Sequence, residues 1–160
     1  MSVARRLKEY LELNKVPYTH CTHRLAYTAQ EVAEAQHVPG REVAKTIVLK
    51  ADDEFILVML PATLKLDLKA LRGQLPFKHL ELASENELSR LFPDSEVGAM
   101  FPFGNLYHLK VYVDKSVAAN QQIVFNAGTH VDTIQMAYQD FERLARPEVV
   151  DATTLLEMAS

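Results

Sequence analysis

Three short segments carry the residue types with which this chain could do chemistry. In Glu42–Lys50, EVAKTIVLK, a strand would turn Val43, Lys45, Ile47 and Leu49 to one face and Ala44, Thr46, Val48 and Lys50 to the other. Lys45 then stands on an apolar face. Either its ammonium leaves at the strand's mouth with the stem along the core, or it meets an anionic or carbonyl-bearing ligand in a cavity. Gly98–Pro102, GAMFP, puts large apolar residues in a loop, where a pocket wall is a better use for them than bulk solvent. Asn126–His130, NAGTH, sets a small-residue turn directly before an imidazole, so that backbone N–H groups and His130 can face one space. Gly98 and Gly128 allow positive φ in these segments, and turn formation alone is the simpler reading of each.

Other polar residues read more plainly. His20 and His23 form H-x-x-H, but on a strand they face opposite sides, so no zinc site is expected. Cys21 is the single cysteine, which excludes an intrachain disulfide and a thiolate-rich metal site, and it reads as a small core or edge residue. His37, His79 and His108 read as surface or strand residues. Arg5, Arg6, Lys8, Lys65, Lys69 and Arg72 read as solvated helix faces, one cluster of which could touch a nucleic-acid stem.

The elements that must position these residues follow from period and punctuation. Ser2 can cap a helix with Val3, Leu7, Tyr10 and Leu11 on one face, stopped by Pro17. YTHCTH is a short strand. TAQE and SENE have capping-box spacing and open helices that end before Pro39-Gly40 and Pro93. VAKTIVLK and EFILVMLP flank Asp52-Asp53 as an antiparallel hairpin, and Asp67 caps a helix that Gly73 stops. FKHLEL and YHLKVYVD are strands, IVFNAGTHVDTIQM is two strand segments broken at Asn126 to His130, and YQDFERLARP is a last helix. Mixed order with short connections predicts α+β, with one curved sheet or partial barrel.

At 160 residues the chain has the length of one domain, 1–160, with a substantial core. No apolar run approaches the ~20 residues of a membrane helix, and the start, MSVARRLKEYLELNK, carries charges where a signal peptide needs an apolar stretch. A cytoplasmic protein is expected. A net charge of −4 argues against tracking along nucleic acid, since each phosphate contact wants a Lys or Arg. Binding one end of a nucleic acid stays open; neither DNA nor a membrane is expected as a partner, and a monomer is.

VAKTIVLK, LDLKALR, VGAMFPFG and VFNAGTHVDTIQMAYQDFERLARP, in this order and spacing, resemble the YbaK/ProX family of aminoacyl-tRNA deacylases, related to the editing domain inserted in bacterial prolyl-tRNA synthetases. The resemblance spans nearly the whole chain. It implies a mixed, barrel-like β-sheet surrounded by helices, and hydrolysis of the ester joining a wrong amino acid to the tRNA 3′ end, with no cofactor. The partners implied are the acceptor end of aminoacyl-tRNA and, as an option, a synthetase. The family's lysine falls on Lys45, its G-x-x-x-P loop on Gly98, Ala99, Met100, Phe101 and Pro102, and its glycine-to-histidine turn on Gly128 to His130. Pocket aromatics fall on Tyr18 and Tyr27, and Thr46 follows the lysine. Relatives that favour cysteine carry Ser at Asn126 and Asp at Thr133, so a cysteinyl preference is not implied.

An aminoacyl ester is already activated, so a site need only hold it, stabilise the oxyanion and place a water. The Gly98 loop's N–H groups are candidates for the carbonyl oxygen, Lys45 for a phosphate or the ester, and His130 for the amino group or for excluding larger side chains. The other reading is a non-catalytic module that binds a tRNA 3′ end, a nucleotide or a synthetase.

Overall fold

In the computed structural model, residues 4–155 are described. Helix α1 (Arg5–Leu13) buries Leu7 and Leu11, and its N-cap position is Ala4, with no side-chain cap. Ser2 and Val3, expected as its cap and first apolar contact, lie outside the described residues. Strand β1 (Tyr18–Thr22) leads to α2 (Ala29–Gln36), where Thr28 and Glu31 close the capping box reciprocally. The hairpin of β2 (Ala44–Ala51) and β3 (Glu54–Pro61) turns at Asp52-Asp53, in register from Ala44 opposite Pro61 to Ala51 opposite Glu54.

After β4 (Leu64–Leu66), Asp67 accepts from Ala70 N and caps α3 (Leu68–Arg72). Strand β5 (Leu80–Leu82) precedes α4 (Glu85–Leu91), whose Ser84/Glu87 capping box is complete. Then come β6 (Lys110–Asp114), α5 (Lys115–Ala118), β7 (Gln122–Asn126), β8 (Asp132–Ala137), α6 (Tyr138–Ala145), β9 (Glu148–Val150) and β10 (Thr153–Leu155).

The strands of this α+β fold divide among three sheets rather than gathering in one: β5-β2-β3-β6-β9, β1-β8-β7 and β10-β4. The first two meet where Val43, just before β2, bridges Val124 of β7 in parallel. Between them lies the main core, with Ala44, Val48, Leu57, Met59, Phe125, Ile134 and Met136 from the strands and Leu7, Leu11 and Phe141 from helices. Phe103 joins the layers, edge-on to Tyr10, Phe125 and Phe141 at 5.7, 5.9 and 5.1 Å. The other face of β2-β3 packs Leu49, Ile56, Val58 and Leu60 against Leu71 of α3, and α2 covers Val43 and Val124. Strand alternation thus assigns Lys45 to the outer face and Thr46 to the main-core face.

The short elements β4, α5, β9 and β10 were not visible in the sequence. Asp114, fully buried, ties α5 to β10 and the residue before it: its carboxylate accepts from Ser116 N, Ser116 Oγ, Ala152 N and Thr153 Oγ1. A buried charge persists only when bonded in this way.

Candidate functional site

The β7–β8 hairpin ends in a turn, 127–131, that closes on itself. Asn126 pairs with Thr133 in the last rung, and Ala127 N donates to Asp132 O at 3.0 Å. Gly128 takes φ +96°, and a methyl group there would lie 3.1 Å from Ala4 Cβ, so both conformation and space call for glycine. The loop 95–100 locks onto this turn through main chain: Glu96 N donates to Gly128 O at 2.7 Å and Gly128 N to Ala99 O at 2.9 Å. Glu96 Oε1 in turn accepts from His130 N at 2.8 Å.

His130 is the buried centre of this group. Its Nε2 lies 2.9 Å from Val97 O; a carbonyl only accepts, so Nε2 carries a proton and Nδ1 is the ring nitrogen left to accept. That Nδ1 is buried without a partner among the described residues, as is Asn126 Oδ1. Tyr27 packs against the imidazole at 4.8 Å, its ring tilted by 53°, while remaining 64% exposed, and Ala26 N bonds His130 O to hold its segment there. Gly98 is exposed at φ +87°, and a methyl group there would stand in ordinary contact, 3.5 Å, with His130 Cε1. Its N–H points at the Met100 thioether, 3.3 Å away, a weak acceptor that a carbonyl oxygen outcompetes.

Lys45 reaches the same region along the sheets. From the Val43–Val124 bridge, two residues along each parallel chain bring Lys45 level with Asn126, on the face that α2 covers. Its side chain is half-buried, and burial alone pulls its pKa below the ordinary lysine value; no carboxylate contributes. Thr133, fully buried in the next strand, donates its hydroxyl to Gln36 Oε1 of α2.

The structure therefore brings together Gly98, Ala99, Met100, Tyr27, Gly128 and His130, with Lys45, Asn126 and Thr133 on the strand face leading to them. It does not bring Thr46 and Tyr18 there. Thr46 faces the main core opposite Met59, and its Oγ1 is buried and unpartnered. Tyr18 pairs with Met136, three rungs from Thr133 and on the other face, where its hydroxyl donates to Glu12 at 3.2 Å. Phe101 and Pro102 are buried; Phe101 packs against Tyr107 at 5.7 Å and so serves the core.

Residues that the sequence did not single out are Glu96, Gln36 and Asp132. The last is fully buried and receives His20 Nε2 at 2.6 Å, which is the use the fold makes of the first histidine in H-x-x-H. Among the described residues no group of three or more His, Cys, Asp and Glu side chains is placed to hold a metal ion, and no helix is long and apolar enough to cross a membrane. A surface cavity of about 430 Å³ lies at the other end of β2, bounded by Lys50, Phe55, Glu87 and Arg90; Lys50 faces Glu87 there at 3.8 Å, so that its charge is already paired.

The sequence profile of the aminoacyl-tRNA editing domain matches residues 23–144. The proline–tRNA ligase of Lactococcus lactis subsp. lactis (strain IL1403) is 31% identical over 150 residues, 93% of this chain and 23% of the ligase. That of Staphylococcus epidermidis (strain ATCC 12228) is 30% identical over 135 residues, 77% of this chain and again 23% of the ligase. The chain thus spans about a quarter of the length of these relatives. Its fold matches the crystal structure of a proposed trans-editing enzyme for prolyl-tRNA synthetase with a TM-score of 0.81 at 20% identity, covering 94% of this chain and 96% of the other.

Proposed function

The chain belongs to the aminoacyl-tRNA editing domain family, and from that premise we propose that it hydrolyses, in trans, the ester linking a wrongly attached small amino acid to the 3′ end of tRNA. The observation that carries this reading is the pair of buried, unpartnered acceptors, His130 Nδ1 and Asn126 Oδ1, at the turn that also presents Gly98. An α-ammonium group offers three donors and fits two such acceptors. Lys45 supplies the opposite sign, an ammonium without a carboxylate partner, for the terminal phosphate or the ester carbonyl. The Gly98 N–H, held only by a thioether, is free to turn to the oxyanion. Water, oriented by a ribose hydroxyl of the substrate, completes the reaction.

Tyr27 packed against His130 narrows the entrance, and Asn126 and Thr133 add short polar groups, which favours alanine, serine, threonine or 2-aminobutyrate over cysteine. A pocket wall alone separates neighbours by only ~1–3 kcal/mol per methylene, so substrates overlap. The action in trans is supported by the neighbour described in those terms, which this chain covers almost end to end. A cytoplasmic monomer meeting charged tRNA accords with it. The test is a deacylation panel over tRNAs charged with small amino acids. Turnover of at least one is expected; tight binding of the 3′ end with no turnover on any would make the chain a binding module instead.

A further inference from the structure

We propose that Asp132 is a positioning residue of this site, setting the turn that carries Gly128 and His130 and, through it, the selection among acyl groups; this rests on the editing reading above. The carboxylate is fully buried at the first residue of β8. His20 Nε2 and Thr22 Oγ1 donate to Oδ1 at 2.6 and 3.3 Å, and Thr129 Oγ1 donates to Oδ2 at 2.7 Å. Its main chain works on the same turn: Asp132 O accepts from Ala127 N, and Asp132 N donates to Thr129 Oγ1 at 3.1 Å. One residue thus closes the turn at both ends and fastens it to β1.

A threonine hydroxyl is enough to close a local turn, so the buried carboxylate adds something further: a link from the turn across to His20 and Thr22 of the neighbouring strand. His130 lies inside this closure without touching Asp132. Its ring stays against Gly98 and Val97 O only while the turn keeps its place. Displacements of about 1 Å in a positioning group cost catalysis up to ~100-fold, and here they fall on the atom that would meet the α-ammonium.

The test uses the full chain and two readouts. In Asp132→Asn one acceptor becomes a donor, which cannot serve both His20 Nε2–H and Thr129 Oγ1–H. The ratio of kcat/KM between the best and the next aminoacyl-tRNA is expected to fall about tenfold with KM for tRNA little changed. In a His130→Ala background the same substitution is expected to change that ratio less than twofold. Spectra of ¹⁵N-histidine protein, which need no activity, should show His130 protonated at Nε2 in the wild type and a mixture of tautomers in Asp132→Asn. Thr129→Val should reproduce the effect and Thr129→Ser should not, and this pair carries the test if Asp132→Asn does not fold. Unchanged selectivity and an unchanged His130 signature in a folded variant would overturn the proposal, as would full additivity with His130→Ala. If the wild type turns over no charged tRNA, the editing reading fails and the ring signature alone decides the role of Asp132.

Discussion

Replacing Lys45 by methionine keeps the length of the side chain and removes its charge, which separates the two uses a half-buried lysine can have. With a phosphate or developing oxyanion ~5 Å away and an effective dielectric of ~20, the lost attraction is about 3 kcal/mol, or roughly a hundredfold in single-turnover rate. Stability should move the other way. The folded-state pKa of Lys45 is lowered by burial with no compensating carboxylate, so the unfolded chain binds the proton more tightly. The penalty is fully present below the lowered pKa and is relieved as pH rises toward the ordinary lysine value. Lys45→Met should therefore raise Tm at neutral pH, with the gain shrinking in alkali. The wild-type rate, corrected for uncatalysed ester loss, should fall as pH passes the lowered pKa, and the variant should lack that limb. A folded Lys45→Met protein that deacylates at the wild-type rate would refute the reasoning, and a lower Tm would show that the ammonium stabilises the fold despite its burial.

His130→Ala removes the ring that Tyr27 packs against and the acceptor Nδ1, so selection among small acyl groups should relax more than the best substrate slows; equal loss on all substrates with tRNA binding intact would assign His130 to the chemical step. Gly98→Ala forces a side chain into φ +87°, which costs ~1–2 kcal/mol, with its methyl in ordinary contact with the imidazole; a lower Tm and slower turnover are expected, and neither would appear if the loop simply shifts. Since the proposed chemistry runs on backbone donors, Lys45 and substrate hydroxyls, EDTA should leave turnover intact, and loss on chelation with recovery in zinc would contradict it.

What could be read from the sequence was what is local. Both capping boxes, the Asp52-Asp53 hairpin and the Asp67 cap are decided within a few residues, and all four are present. Strands β4, β9 and β10 have three residues each and exist through distant pairing, β10 on β4 and β9 on β6, so period and punctuation carry no trace of them. The same contrast runs through the site. Alternation alone turns Thr46 away from Lys45; the family resemblance drew it in, and the sheet keeps it on the main-core face. Glu96, Gln36 and Asp132 meet their partners across 34, 97 and 112 residues, distances at which one sequence is silent.

The polar groups left over by the fold give the site its sign. Around the turn the main chain is largely spoken for: Glu96 O, Val97 O, Ala99 O, Gly128 O and His130 O all accept from within the protein. Besides the Ser95 hydroxyl, which is buried without a partner among the described residues, two acceptors and two donors stand apart. His130 Nδ1 and Asn126 Oδ1 are acceptors; the Lys45 ammonium and the Gly98 N–H, with its thioether, are donors in want of something better. Buried polar atoms left unmatched cost ~1–3 kcal/mol each, a cost that a ligand meeting His130 Nδ1 and Asn126 Oδ1 would relieve. An aminoacyl ester, under the reading proposed above, would answer the acceptors with its ammonium and offer the donors a neutral carbonyl, and the donors' hold on that oxygen would strengthen as attack turns it into an oxyanion.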